Sequence, residues 1–149
     1  MVDATVEELW DFITNPNNLE KLTPKQFGGR RLNKSQNDVV KDGFETSYKI
    51  KILPFISVKW TARFSEVVPY ESFVDEQIKG PFRSWKHKHT IIVHRGNVMM
   101  RDEITFEPPF PWFGIGIFLY ETFILPRIHK LFIYRDTFLD NYFVKQTES

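Results

Sequence analysis

Cysteine is absent from the sequence, which excludes disulfide bonds, thiolate catalysis and cysteine-ligated zinc. A charge imbalance is also absent, because 20 basic and 19 acidic side chains leave a net charge of +1. Nucleic-acid-binding proteins usually carry a basic face, so we expect no nucleic-acid partner. The apolar run at residues 109–125 includes Glu121 and is shorter than the about 20 apolar residues that cross a membrane. We therefore expect no stable membrane insertion.

The N-terminal segment lacks the pattern of a secretory leader, because Met1-Val-Asp3 runs directly into a charged stretch. We expect a cytoplasmic protein. The length of 149 residues suits one hydrophobic core, so we predict a single domain over residues 1–149. A solvated loop is the expected setting for a cluster of five basic residues, Lys21, Lys25, Arg30, Arg31 and Lys34.

Aromatic residues are abundant. Fifteen Phe, five Tyr and four Trp make up 16% of the chain, and each large ring buries on the order of 150–250 Å². Composition alone favours a bulky core as the explanation, and the walls of an apolar cavity are the alternative.

Local motifs predict a short helix near the N-terminus. Thr5 and Glu8 have the spacing of a capping box, apolar residues follow at helical spacing, and Asn15-Pro16 ends the helix. A second short turn is predicted at residues 18–22 and a loop at residues 25–37.

Alternating apolar and polar side chains predict a run of five strands, at residues 46–52, 56–65, 72–79, 84–94 and 98–107. The proline cluster that begins at Pro108 ends the sheet. A long helix is predicted at residues 116–145, with Pro126 as a kink or a restart. Its apolar stripe consists of Ile128, Leu131, Phe132, Leu139 and Tyr142.

The strand at residues 84–94 has two faces. Lys86 and Lys88 mark one face as solvated, so Trp85, His87 and His89 on the other should point inward.

Hairpin register predicts the neighbours of these side chains. A turn centred on Arg95-Gly96 sets His89 opposite Asp102 and, on the wet face, Lys88 opposite Glu103. A turn around Gly80-Pro-Phe82 sets Asp75 near His89, Gln77 near His87 and Glu76 near Lys88. Either register could slip by two residues without moving a side chain to the other face of the sheet. The predicted inward row is Asp75, Gln77, His87, His89 and Asp102, among Trp60, Phe73, Trp85 and Phe106.

Buried polar side chains need partners, because each one without a partner costs about 1–3 kcal/mol. One interpretation is an internal network that fixes the core, and another, compatible with it, is the polar end of an apolar pocket. Arg135 lies within the apolar stripe of the long helix. It either snorkels to solvent, which we expect, or supplies a counter-charge to Asp75 or Asp102.

The same row allows two kinds of chemistry. His-x-His with a facing carboxylate fits a two-histidine, one-carboxylate metal site, but this spacing is common by chance and we expect no metal or other cofactor. A His–Asp pair suits general acid–base catalysis, with His87, His89 and Asp102 as the candidate catalytic residues. A nucleophile is not evident, because no serine sits in a nucleophile elbow and cysteine is absent.

Seven motifs between Leu9 and Arg135 carry a family resemblance, which extends from about Thr5 to Phe143. They are Leu9-Trp-Asp-Phe12, Asn18-Leu-Glu-Lys-Leu-Thr-Pro24, Phe73-Val-Asp75-Glu-Gln77, Gly80-Pro-Phe82, Trp85-Lys-His87-Lys-His89, Asp102 and Tyr134-Arg135. Together they resemble a bacterial branch of the SRPBCC superfamily, which includes START and birch-pollen-allergen-like proteins. The Gly-Pro-Phe and Trp-x-His-x-His motifs are the most specific of the set.

The resemblance implies an α+β helix-grip fold, in which a curved antiparallel sheet wraps around a long C-terminal helix with a hydrophobic cavity between them. The first strand of that fold is short or missing here, since residues 1–4 alone precede the first helix. The superfamily includes lipid and sterol carriers, polyketide cyclases and hormone receptors, so the fold does not fix the function.

Our leading hypothesis is a protein that binds an apolar or amphipathic small molecule, such as a lipid, an isoprenoid or a polyketide-like compound. The expected ligand-binding residues are Trp60, Phe73, Asp75, Gln77, Trp85, His87, His89, Asp102, Phe106 and Arg135. One alternative is a cyclase- or dehydratase-type enzyme that uses a His–Asp pair in the same cavity. Another is a structural or interaction module without a ligand. The oligomeric state stays open.

Overall fold

A capped helix and two short turns precede the sheet. The computed structural model describes residues 2–33, 38–53, 55–108 and 115–147. Helix α1 (Val6–Ile13) has Thr5 as its N-cap. The Thr5 hydroxyl accepts a hydrogen bond from the Glu8 N–H at 3.1 Å, and the Glu8 carboxylate accepts one from the Thr5 N–H at 2.8 Å. The predicted capping box is confirmed, and 3-10 turns follow at Pro16–Glu20 and Lys25–Phe27.

A curved antiparallel sheet of six strands forms the body of the molecule, with the strands in sequence order. Hydrophobic alternation predicted five of them closely. The strands are β1 (Gly28–Arg31), β2 (Glu45–Leu53), β3 (Ile56–Val68), β4 (Ser72–Lys79), β5 (Ser84–His94) and β6 (Asn97–Glu107).

The loop predicted at residues 25–37 is wrong over β1, and the solvated setting is wrong for Arg31. The Arg31 side chain is buried, donates hydrogen bonds to Thr46 Oγ1 at 2.9 Å and Asn17 Oδ1 at 3.1 Å, and forms an ion pair with Asp38. The strand is only four residues long and starts with two glycines, so its sequence shows no alternation. Lys34 lies outside the described residues.

The β5–β6 register is confirmed, and the β4–β5 register is off by two residues. Arg95 and Gly96 both have positive φ, at 53° and 80°, and their two-residue turn sets His89 opposite Asp102 and Lys88 opposite Glu103. In the other hairpin His87, rather than His89, lies opposite Asp75. Phe73 lies opposite His89, and Glu76 lies opposite Lys86 rather than Lys88.

The C-terminal helix changes its hydrogen bonding just before Pro126, where a kink or restart was predicted. It comprises α2 (Ile115–Leu119), a π-helical turn (Tyr120–Ile124) and α3 (Leu125–Thr147). The Leu125 N–H donates to the Tyr120 carbonyl, five residues back. Proline has no N–H to donate, and its ring crowds the preceding turn of an α-helix, so a wider turn lets the helix continue.

Helix α3 divides the interior between sheet and helix into two zones. Its C-terminal half packs with α1 into a dense core, where the Phe12 ring lies 4.6 Å from the Tyr142 ring and 5.7 Å from the Phe143 ring. Its N-terminal half faces the pocket described below. Before α1, Val2 forms an isolated bridge to Val98, in line with a short or missing first strand. The predicted α+β helix-grip fold is confirmed.

Candidate functional site

Four side chains from three adjacent strands form a compact cluster, which we call the His–Asp quartet: Asp75, His87, His89 and Asp102. His87 Nε2 lies 2.9 Å from Asp102 Oδ1, and His89 Nε2 lies 2.8 Å from Asp75 Oδ2. His87 Nδ1 is 3.4 Å from Asp75 Oδ2. His89 Nδ1 is 2.8 Å from Asp102 Oδ1 but at an angle too poor for a hydrogen bond. Each imidazole is therefore held between two carboxylates.

Charge governs the protonation of the quartet. Burial alone would raise the pKa of Asp75 and Asp102, but contacts with His87 and His89 outweigh it and hold both pKa values well below their usual range. Burial opposes a charge on His89 too, yet Asp102 and Asp75 raise its pKa above the ordinary value. Both carboxylates are thus ionised at neutral pH.

Aromatic rings fix the two imidazoles in place. The Phe73 ring stacks on His89 with centroids 4.4 Å apart, and the rings of His89 and His87 are 3.7 Å apart. Phe132 of α3 meets His87 edge-on at 5.4 Å. The two imidazoles are therefore held in fixed orientations by ring contacts from the sheet and from the helix.

Arg135 does not snorkel to solvent, so that expectation is wrong. Its Nε donates to the Leu22 carbonyl at 3.2 Å, and its guanidinium lies 5.2 Å from the centre of the Phe132 ring. Burial lowers the pKa of Arg135, while the charges of Asp102 and Asp75 oppose that shift. The side chain is held inside because the turn before β1 presents a carbonyl to it.

A pocket of about 180 Å³ lies between the sheet and the N-terminal half of α3. Most of its wall is apolar and comes from the turns, the sheet and the helix alike, as with Leu22, Phe27, Ala62, Phe64, Ile128 and Leu131. Asp75, His87 and His89 form one polar part of the wall, and Arg135 also reaches it, as do other polar side chains such as Asn15 and Lys51. Such an arrangement suits a molecule with an apolar body and a polar end.

The structure brings seven of the ten predicted ligand-binding residues to this wall: Trp60, Phe73, Asp75, Trp85, His87, His89 and Arg135. The other three, Gln77, Asp102 and Phe106, do not line the pocket. Asp102 supports the histidines from β6, and Phe106 packs on Trp85 with ring centroids 5.4 Å apart.

Gln77 secures the turn between β4 and β5. Its Nε2 donates to the Phe82 carbonyl at 2.7 Å, and its Oε1 accepts from the Phe82 N–H at 3.2 Å. Gly80 leaves room for this amide, since an added Cβ would lie 2.6 Å from Gln77 Cδ. The Gln77 and Gly-Pro-Phe motifs thus form one structural unit.

Sequence reasoning missed five polar residues of the pocket wall, and two of them, Tyr48 and Arg127, make contacts that fix the wall. The Tyr48 hydroxyl donates to the Pro16 carbonyl at 3.2 Å, and burial raises the pKa of Tyr48 to about 12. Strand parity carried a signal for Tyr48, because it alternates with Lys49 along β2. Arg127 stacks over Phe27 at 4.8 Å, a contact that no local pattern predicts.

Asp75, His87 and His89 together form a set of side chains that could bind a metal ion. Each offers one ligand atom, and the three atoms lie within 4.8 Å of one another. Two imidazoles and one carboxylate suit first-row transition metals.

Comparison with known proteins gives the family. A model of the family described as polyketide cyclase / dehydrase and lipid transport matches residues 2–119. The chain belongs to this family. The resemblance to SRPBCC proteins is thereby confirmed. Curated protein sequences give no match to this chain.

Solved structures support the same fold. Protein Ms6760 from Mycobacterium smegmatis is similar with a TM-score of 0.63 and 15% identity, over 93% of this chain and 85% of that one. Protein CV1439 from Chromobacterium violaceum is similar with a TM-score of 0.53 and 14% identity, over 87% of this chain and 90% of that one. In the parts of the chain that the structure describes, every helix is too short or too polar to cross a bilayer.

Proposed function

We propose that this member of the polyketide cyclase / dehydrase and lipid transport family binds an apolar or amphipathic small molecule between the sheet and α3. The observation that carries the proposal is a mostly apolar pocket with the polar groups Asp75, His87 and His89 on one side. Ligand sites in proteins commonly combine an apolar wall with a few placed polar groups. The family description, which names both cyclases and lipid transport, agrees with a ligand of this class.

The size of the pocket limits the range of ligands that it can hold. A volume of about 180 Å³ is close to the roughly 150 Å³ of an engineered cavity that binds benzene. It accommodates one ring or a short stretch of acyl or isoprenoid chain. A multi-ring polyketide or a long fatty acid requires the pocket to widen or the ligand to extend through its mouth.

Unpartnered donors favour a ligand that carries acceptor oxygens. Trp60 Nε1, Trp85 Nε1 and Arg127 Nε are buried without a hydrogen-bond partner among the described residues, and all three residues reach the pocket. Each buried donor without a partner costs about 1–3 kcal/mol. A carboxylate, carbonyl or hydroxyl group on the ligand would recover part of that cost.

Native mass spectrometry of the purified protein tests the proposal by revealing a co-purified small molecule. Titration of delipidated protein with cis-parinaric acid, a fluorescent fatty acid, gives the affinity. We expect Leu131→Gln, which places an amide in the pocket wall, to weaken binding at least tenfold. Ile133→Gln on the exposed face of α3 is the matched control. Absence of any bound molecule, together with no uptake of cis-parinaric acid or of the shorter octanoic acid, would exclude the proposal.

A second candidate function is cyclase- or dehydratase-type catalysis. The contact of 2.9 Å between His87 Nε2 and Asp102 Oδ1 favours it, because a carboxylate orients an imidazole for proton transfer. His87→Gln or His89→Gln should then abolish turnover of a bound substrate and keep its affinity. Equal losses of binding and turnover point to binding alone.

The third possibility, a module without a ligand, predicts a different result. If the quartet only holds the core together, replacing all four of its side chains by apolar ones of similar size should keep or raise the free energy of unfolding and change nothing else. His89→Leu alone should lower the free energy of unfolding, because Asp75 and Asp102 would stay buried with one partner fewer.

A further inference from the structure

We propose that the pocket side of the His–Asp quartet is a site for a divalent first-row transition metal, with Asp75, His87 Nδ1 and His89 Nε2 as its three protein ligands. The inference goes beyond the proposed function and does not depend on it, because a cation can occupy these atoms whether or not an apolar ligand fills the pocket. The sequence spacing alone did not justify a metal, and the geometry of the folded chain adds what the spacing lacked.

The ligand atoms converge on one point. Asp75 Oδ2 lies 3.4 Å from His87 Nδ1 and 2.8 Å from His89 Nε2, and the ligand atoms of the three residues lie within 4.8 Å of one another. Ligands about 2.0–2.2 Å from a tetrahedral zinc ion are roughly 3.3 Å apart. A cation therefore enters by replacing the proton shared by Asp75 and His89 and widening that contact by about 0.5 Å.

Asp102 is placed as an outer partner of the metal ligands. It lies 2.9 Å from His87 Nε2 and 2.8 Å from His89 Nδ1, which are the ring nitrogens that face away from Asp75. For His87, this carboxylate accepts the hydrogen bond of the far nitrogen, which keeps the proton there and leaves Nδ1 free to bind a metal. For His89, the charge of Asp102 lies close to the far nitrogen without a hydrogen bond. The quartet thus has three inner ligands and one orienting carboxylate, a division that a mere charge network does not require.

The pocket gives the site an open coordination position. Asp75, His87 and His89 all reach the pocket wall, whereas Asp102 does not. Three protein ligands with access to a cavity are typical of metal sites that bind an exogenous group, and structural zinc sites are instead closed by four protein ligands. The chemistry that fits the open position is an oxygen donor on the pocket ligand, such as a carboxylate or a carbonyl.

The rigid surroundings suit such a site. Phe73 stacks on His89 and Phe132 contacts His87, so the two imidazoles are held in position before any cation arrives. Arg135 lies close enough to Asp75 and Asp102 to interact with their charges. Its positive charge opposes the binding of a cation, but the quartet carries two carboxylates against this one guanidinium.

Calorimetric titration of the EDTA-treated full chain with Zn²⁺ alone tests the site, and Co²⁺ absorption reports its coordination. We expect one equivalent of Zn²⁺ to bind and Co²⁺ to give the intense visible bands of a four- or five-coordinate ion. The chain has two further histidines, His94 and His129, both exposed. The double variant His94→Gln/His129→Gln is the control for nonspecific binding and should bind Zn²⁺ as the unmodified chain does.

Variants of the quartet separate inner ligands from the outer partner. Asp75→Asn, which preserves shape, should weaken Zn²⁺ binding at least 100-fold, and Asp102→Asn should weaken it about 10–100-fold. Circular dichroism confirms that each variant is folded. Loss of binding in the His94/His129 variant, unchanged affinity in Asp75→Asn, or no saturable binding would each overturn the proposal. Fatty-acid uptake without Zn²⁺ binding would overturn it while leaving the proposed function intact.

Discussion

Arg31 is the residue that ties the edge of the sheet to the turns beside it. Its guanidinium contacts Asn17 in a 3-10 turn, Thr46 on β2 and Asp38 after β1, and its backbone N–H donates to Glu20 Oε1 at 2.9 Å. Because these groups belong to three separate segments, one residue sets their relative positions. Pro16 and Leu19 of the same 3-10 turn and Tyr48 of β2 line the pocket, so we expect the position of this part of the wall to depend on Arg31.

We predict that Arg31→Ala lowers the free energy of unfolding by about 3–5 kcal/mol, because a buried ion pair loses its cation. Arg30→Ala is the matched control, since Arg30 is the adjacent, exposed residue of β1. It should change stability by less than about 0.5 kcal/mol. Urea unfolding followed by fluorescence and circular dichroism measures both values, and equal effects would show that Arg31 is not a structural anchor.

Tyr48 makes stability depend on alkaline pH. Its pKa is raised to about 12 in the folded chain, against about 10 in the unfolded chain. The stabilisation is fully present below pH 10 and is lost as the pH rises through 12, and a shift of two units corresponds to roughly 3 kcal/mol. Tyr48→Phe should therefore lose less stability than the unmodified chain between about pH 9 and 12.

The control for this pH dependence is Tyr70→Phe, because Tyr70 is 52% exposed. Its unfolding curves should follow the unmodified chain throughout the alkaline range. Parallel pH profiles for Tyr48→Phe and the unmodified chain would contradict the assignment of the alkaline transition to Tyr48.

Among the elements, the β4–β5 hairpin depends on one side chain in its turn. Gly80→Ala places a methyl group against the Gln77 amide, which must leave its two hydrogen bonds to Phe82. We expect a loss of about 1–3 kcal/mol in the free energy of unfolding. In a Gln77→Ala background the same substitution should cost at least 0.5 kcal/mol less, a difference that a double-mutant cycle measures. If the two substitutions changed the free energy of unfolding in a strictly additive way, the cost of Gly80→Ala would not come from the Gln77 side chain.

The two hairpins also explain how much of the fold the sequence predicts. The two-residue turn at Arg95-Gly96 fixes the β5–β6 register by backbone geometry alone, so Asp102 was correctly placed opposite His89. The β4–β5 register depends on how the Gln77 side chain holds the turn. The alternation of apolar and polar residues does not predict that contact. A shift of two residues keeps every side chain on its face, which is why the quartet was still predicted.

The pocket wall was predictable only where it belongs to the sheet or the long helix. Trp60, Phe73 and Trp85 follow from period-two alternation. Pro16 and Leu22 come from turns, and no periodicity relates a turn to the sheet that it covers. Arg135 was misjudged for the same reason, because its partner is a carbonyl of the segment after the first 3-10 turn.

In the molecule as a whole, one half of the interior is filled and the other is open. Leu139 and Phe143 sit in a dense core with α1, whereas Ile128 and Leu131, about two turns earlier on the same helix, face the pocket. A cavity in a protein interior costs stability because its lining loses packing contacts. The binding function that we propose would therefore come at a cost in stability.

Filling the pocket with a larger side chain should raise the stability of the protein and weaken the proposed binding. Ala62 is buried on β3 and lines the pocket, so Ala62→Leu adds three carbons to open space. At about 0.8 kcal/mol per buried CH₂ and with some loss to strain, we expect a gain of about 1–2 kcal/mol in the free energy of unfolding. Uptake of cis-parinaric acid should fall at least tenfold at the same time.

A gain in stability combined with a loss of fatty-acid uptake is the result that identifies a binding pocket. Lys59→Leu introduces the same side chain on the exposed face of β3 and should leave fatty-acid uptake unchanged. A general rise in hydrophobicity would affect both variants alike, whereas occupation of the pocket affects Ala62→Leu alone. If Ala62→Leu instead lost stability and still bound the fatty acid, the ligand would have to bind elsewhere on the molecule.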